Sequence, residues 1–159
     1  MMYTNVGTSM EVKIRNVRLE DLPKVYDIEL KSFKHPYPYT LILTYYYIAH
    51  PYFLVAEVSG KVVGYIIALL RGGALGHIIS VAVDPEYRGR GIGKSLLKAV
   101  EELLRDSGAK VIRLEVGEDN EVAINLYKKL NYEIVDYIEK YYPDGSNAYV
   151  MMKRLISEN

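Results

Sequence analysis

The sequence predicts an α/β (α+β) chain of about seven strands and about four helices, in the order β-α-α-β-β-β-α-β-α-β-β. Three observations carry that expectation. Apolar residues alternate in some windows and recur every three or four positions in others. Short turn signals such as Ser59-Gly60 and Pro143-Asp144-Gly145 separate these windows. Finally, the run from Val81 to Leu97 reads as a buried strand, a tight turn and a glycine-spaced helix start.

Taken along the chain, Glu11 to Val17 alternates as a strand, and Leu22, Val25, Tyr26 and Leu30 mark a helix within Leu19 to Phe33. Pro36 and Pro38 force a loop, because the residue before a proline is pushed out of helical geometry. A tyrosine-rich helix from about Thr40 to His50 comes next, then strands Phe53 to Val58 and Lys61 to Leu70 joined by a two-residue hairpin turn. Gly76 to Val83 is the following strand. Ile92, Leu96, Leu97, Val100, Leu103 and Leu104 form the apolar face of a long helix that stops near Gly108. Val111 to Val116 returns to strand, and Asp119-Asn120 caps a helix over Glu121 to Leu130 whose buried face is expected at Ala123, Tyr127 and Leu130. Strands from about Tyr132 to Tyr141 and Asn147 to Met152 complete the order.

Half of the 159 residues are apolar, enough for one domain of ordinary size, placed at residues 11–159. Residues 1–10 are polar without period and are expected as a loose tail, with Met10 a candidate start. Twenty basic residues balance twenty acidic ones, so no field points to nucleic acid or membrane as a partner. With no cysteine there is no disulfide, thiolate metal site or cysteine nucleophile. The apolar run Val62 to Leu70 is too short to span a bilayer and no signal peptide is expected, which suits a cytoplasmic protein.

The turn at Arg88-Gly89-Arg90-Gly91-Ile92-Gly93-Lys94 is suited to phosphate, because glycines bring the backbone close to a ligand and a helix start adds unsatisfied N–H donors. A Walker loop would need glycine at position 88, where arginine stands, and the glycine spacing is not that of the dinucleotide fingerprint. The turn does match the [R/Q]-x-x-G-x-[G/A] loop of the GCN5-related N-acetyltransferase (GNAT) superfamily, which the chain resembles over nearly everything after residue 10. Within it the likeness is nearest to the protein N-terminal acetyltransferases, including ribosomal-protein alanine N-acetyltransferases and archaeal Nα-acetyltransferases. That narrower likeness rests on Leu114-Glu115-Val116 with Asn120 and Leu126-Tyr127, on Tyr141-Tyr142 ahead of Asp144-Gly145 and Ala148-Tyr149, and on Pro36-Tyr37-Pro38-Tyr39.

The resemblance implies a mixed central sheet, acetyl-CoA as cosubstrate, no required metal, and protein or peptide N-termini, ribosomal or ribosome-associated proteins among them, as acceptors. It assigns the CoA pyrophosphate to residues 88–94 (Arg88, Gly89, Arg90, Gly91, Ile92, Gly93, Lys94) and the pantetheine arm to Val81, Ala82 and Val83, with Asn120 and Tyr127 also on the cofactor. Glu115 matches the family's proton acceptor and Tyr127 the tyrosine that protonates the CoA sulfur, while His77 stands where some relatives carry a basic tyrosine. Each has a plainer structural alternative: Glu115 paired across the pleat with Arg113, Tyr127 in the core, His77 a hydrogen-bonded core histidine. Tyr37, Tyr39, Tyr141 and Tyr142 are expected at the mouth that admits the acceptor, since amphipathic rings combine rigid contact area with hydroxyls. Two other functions fit the same residues. One is acetyl transfer to lysine, a polyamine or another small amine, for which Asp27 and Glu29 are the nearest acidic hint; the other is a non-catalytic CoA-binding module.

Overall fold

A computed structural model describes residues 2–6 and 10–155, with side chains from residue 11 onward. The strands are β1 (Met2–Val6), β2 (Met10–Asn16), β3 (Phe53–Val58), β4 (Lys61–Arg71), β5 (Leu75–Val83), β6 (Val111–Gly117), β7 (Glu133–Ile138) and β8 (Ala148–Arg154). The helices are α1 (Leu22–Ser32), α2 (Tyr39–Ile48), α3 (Ile92–Asp106) and α4 (Glu121–Lys129), with short 3-10 turns at Leu19–Asp21 and Pro85–Tyr87. The expected order of elements holds from β2 onward.

One expectation needs correction. Residues 2–6 of the supposed tail form a strand, pairing antiparallel with β2 from Met2 opposite Ile14 to Val6 opposite Met10. The sequence shows no alternation there, and the backbone pairing with β2 is what defines the strand. The remainder of that tail lies outside the described residues.

Packing groups the chain into two compact units: the described residues up to Ala68 with Ser80–Leu103, and Leu69–Ile79 with the described residues from Leu104 on. In the first unit the strands run in the order β1-β2-β3-β4-β5. The β3–β4 hairpin turns through Ser59 and Gly60, whose φ angles of 49° and 79° give the twist that antiparallel strands prefer. Its core includes Val25, Ile28, Phe53, Tyr65, Ile67, Leu96 and Val100, all essentially inaccessible. A buried Arg15 holds Asp21 through two hydrogen bonds of 2.7 and 3.0 Å and reaches Glu57 at 3.0 Å, fixing the turn that starts α1.

In the second unit the order is β5-β6-β8-β7. β5 and β6 are parallel, with His77 opposite Arg113, while β6–β8 and β7–β8 are antiparallel, so both pairing modes occur. α4 is capped as anticipated, the Asn120 side chain accepting from the Ala123 N–H at 3.2 Å. Tyr127 and Leu130 are buried as expected, while Ala123 is only half-buried and Ile124 takes its place on that face. Among the described residues no helix is long and apolar enough to cross a membrane.

Candidate active site

In the first unit, β5 ends at Val83 and the chain turns through Gly89 and Gly91, whose φ angles of 76° and 83° lie in the left-handed region that side chains resist. The Ser95 N–H donates to the Gly91 carbonyl at 3.0 Å, closing the first full turn of α3. The amides of Ile92, Gly93 and Lys94 therefore precede the helix ladder and carry no intrahelical partner, at the positive end of the helix dipole. Such an end receives an anion readily.

The charged side chains around this turn behave differently from one another. Arg88 turns back, donating from Nε to the Val83 carbonyl at 2.9 Å and from Nη2 to Ser32 Oγ at 3.0 Å, which ties the end of β5 to α1. Arg90 lies over the Tyr87 ring at 5.2 Å and reaches the Glu86 carbonyl at 3.3 Å. Lys94 is exposed on the first turn of α3. Val81 and Val83 are half-buried and Ala82 is buried, the alternation expected for a strand with one open face.

The acidic hint on α1 does not form an open pocket. Asp27 pairs with Lys24 at 3.3 Å and Lys31 at 3.0 Å, and Glu29 is 1% exposed. On the loop that follows, Tyr37 packs edge-on against Tyr45 and Tyr39 edge-on against Tyr26.

In the second unit, the parallel register of β5 and β6 sets His77 and Glu115 within reach. His77 Nε2 lies 2.8 Å from Glu115 Oε2, and Arg113 Nε donates to Glu115 Oε1 at 3.1 Å. Arg71 Nε donates to the other imidazole nitrogen, Nδ1, at 3.0 Å. A guanidinium only donates, so Nδ1 is the accepting nitrogen and Nε2 bears the proton given to Glu115. Burial works against the Glu115 charge, but the hydrogen bond from His77 and then the hydrogen bond and charge of Arg113 outweigh it and hold the carboxyl below its ordinary value. Glu115 is thus an ionised, oriented acceptor with a side chain only 10% exposed. Gly76, immediately before His77, allows α3 to come close: an added Cβ would stand 2.9 Å from Leu104 Cδ1 and 3.3 Å from Ile112 Cγ1.

Tyr127 is buried on α4, with its ring 5.8 Å from that of Tyr132. Burial first and then the neighbouring Tyr142 push its pKa well up, so the phenol keeps its proton. Tyr142 stands edge-on to Tyr141 at 4.9 Å and close to Gly117. Its pKa is pushed up to about 12 by burial and then by Tyr141, Glu115 and Asp119. His77, Glu115, Tyr127 and Tyr142 thus share one unit, linked by contact or by charge. The plainer reading of Glu115 holds, since Arg113 does pair with it. Among the described residues no group of three or more His, Cys, Asp or Glu is placed to hold a metal ion.

Sequence reasoning missed Arg71 and the buried partners of Glu29. Nothing in the local pattern marks Arg71, at the end of β4. Glu29 did leave a signal, an acidic residue four positions after Val25 on the buried stripe of α1.

Comparison with known proteins gives a consistent result. The family model described as acetyltransferase (GNAT) family matches residues 22–132. The chain is 36% identical over 163 residues to an N-alpha-acetyltransferase of Sulfurisphaera tokodaii, covering 95% of this chain and 98% of that one. The solved structure of Ard1 from Thermoplasma volcanium is similar with a TM-score of 0.89 at 34% identity, covering 92% of this chain and 99% of that one. Arabidopsis thaliana Naa50, solved with the bisubstrate analogue CoA-Ac-MVNAL, is similar with a TM-score of 0.79 at 30% identity, covering 91% and 99%. The glycine turn, the strand order and these matches agree: the chain belongs to the GNAT family of acetyltransferases.

Proposed function

We propose that this N-acetyltransferase moves an acetyl group from acetyl-CoA to the free α-amino group of protein N-termini by direct attack. The observation that carries the chemistry is the Glu115 carboxylate held between His77 and Arg113, 2.8 and 3.1 Å away. An α-amino group has a pKa of about 7.7–8.0, against about 10.4 for lysine, so a weak carboxylate base relayed through one water is equal to the proton-removal task. The N-alpha-acetyltransferase relative and the peptide-bearing analogue bound by Naa50 support the same acceptor class.

In this reading the amine nitrogen forms its bond to the acetyl carbon as the carbon–sulfur bond breaks. The amine proton passes to Glu115, and the Tyr127 hydroxyl gives its proton to the departing sulfur. His77 orients Glu115 by its Nε2–H, with its Nδ1 lone pair engaged by Arg71. The amides of residues 88–94 hold the CoA pyrophosphate, Val81, Ala82 and Val83 lie along the pantetheine arm, and the Asn120 oxygen serves both the helix cap and that arm. Tyr37, Tyr39, Tyr141 and Tyr142 receive the peptide. Arg88 departs from a direct anion contact, because its guanidinium is engaged with Val83 and Ser32.

The test is incubation with acetyl-CoA and a panel of peptides differing at the first two residues, each with free and blocked N-termini, while thiol release is followed. Acetylation of free-ended peptides alone is the expected result. Acetylation of blocked peptides through lysine would replace this acceptor with a side-chain amine, and release with neither would leave no peptide acceptor.

A further inference from the structure

Glu29 is an acidic residue on the buried stripe of α1, one turn after Val25 and next to Ile28 in sequence, and it is 1% exposed. A carboxylate in such a place is unfavourable unless its oxygens are occupied, and an apolar residue would suit the packing as well. The occupants are specific. The Tyr65 hydroxyl from β4 donates to Oε1, and Ser80 Oγ from β5 donates to the same oxygen at 3.1 Å. Tyr65 itself is inaccessible, and burial followed by the Glu29 charge drives its pKa well up, so it remains a donor. Oε2 receives the main-chain N–H of Tyr37 at 3.0 Å.

That last bond is informative because of its neighbours. In Pro36-Tyr37-Pro38 the prolines have no N–H, so Tyr37 has the only main-chain donor of the three, and it is directed at Glu29. The anchor fixes the backbone from which the Tyr37 ring extends, edge-on to Tyr45 at 6.3 Å. Ser80, on the same carboxylate, directly precedes Val81.

We infer that Glu29 is a positioning residue for acceptor recognition: it clamps the Pro36–Pro38 loop to β4 and β5 and so sets where the Tyr37 ring meets the incoming peptide. This rests on the acceptor class proposed above. Glu29 touches no reacting atom, so its loss acts on peptide KM and leaves the chemical step alone.

The experiment combines kinetics with hydrogen exchange on the full chain. Glu29→Leu keeps an apolar side chain of similar size and leaves Tyr65 and Ser80, 3.1 Å apart, to bond each other. The expected result is a peptide KM raised roughly tenfold or more, with kcat and the acetyl-CoA KM within about twofold of the parent. Glu29→Gln, which retains an acceptor for the Tyr37 N–H, restores most of the peptide affinity. The Tyr37 amide is slow to exchange in the parent and at least roughly tenfold faster in Glu29→Leu. An unchanged peptide KM, or a uniform loss in kcat and both KM values, overturns the inference. If Glu29→Leu does not fold, the parent decides alone: a Tyr37 amide that exchanges at the free rate overturns the clamp. A parent that acetylates no free-ended peptide instead removes the acceptor reading, which the exchange measurement does not depend on.

Discussion

The turn between β5 and α3 presents main-chain amides, whereas the β5–β6 ladder presents side chains that meet only because two strands run parallel in one register. The turn needs residues that get out of the way, and glycine at positions 89 and 91 does so by accepting φ angles of 76° and 83°. The ladder needs particular functional groups at particular heights, and His77, Arg113 and Glu115 satisfy each other through bonds of 2.8 and 3.1 Å. Binding built from backbone tolerates changes of side-chain chemistry so long as shape is kept. Catalysis built from side chains tolerates little change of chemistry even when shape is kept.

Four experiments break or sharpen that contrast. Gly91→Glu has the largest expected effect, because it adds bulk at a left-handed residue and a negative charge where the pyrophosphate would sit. Acetyl-CoA binding by calorimetry should become undetectable in a folded variant, and retained affinity would refute the anion-binding turn. Glu115→Gln comes next. It preserves shape and one acceptor oxygen but not the base, so kcat should fall by about 10²–10³ while acetyl-CoA affinity stays within about twofold. A rate near the parent's would move the proton to another residue.

Tyr127→Phe removes a protonated phenol from the buried face of α4 and should slow turnover by about tenfold to a hundredfold, more than it weakens acetyl-CoA binding. An unaltered rate would return Tyr127 to a packing role. Asn120→Ala is the smallest: loss of the bond to the Ala123 N–H should lower stability by about 1 kcal/mol in urea titration. If acetyl-CoA affinity falls as well, the asparagine serves both cap and cofactor; if only stability falls, it is a cap.

The same contrast explains what the sequence disclosed. The turn was legible from glycine spacing after an alternating strand, since both signals are local. The hairpin at Ser59-Gly60 and the cap at Asn120 were legible for that reason too. His77 and Glu115 were nameable singly, but their contact depends on placing Leu75 opposite Val111, a register fixed by residues far apart in the chain. Arg71 was invisible because its task, setting the proton on Nε2 of His77, follows only from where the strands end. The β1 strand was missed because an edge partner borrows its order from β2 and leaves no alternation of its own. Glu29 was visible as an anomaly on α1, yet its partners on β4, β5 and the proline loop could not be listed without the fold.

The bare α-carbon at position 76 sets a limit on protein engineering. Leu104 is fully buried and would meet any added methyl at 2.9 Å, so the residue that aims the imidazole is seated by a hydrogen atom one step upstream. A chimera that brings a larger residue to this position therefore needs the Leu104 side chain to shift or to be shortened.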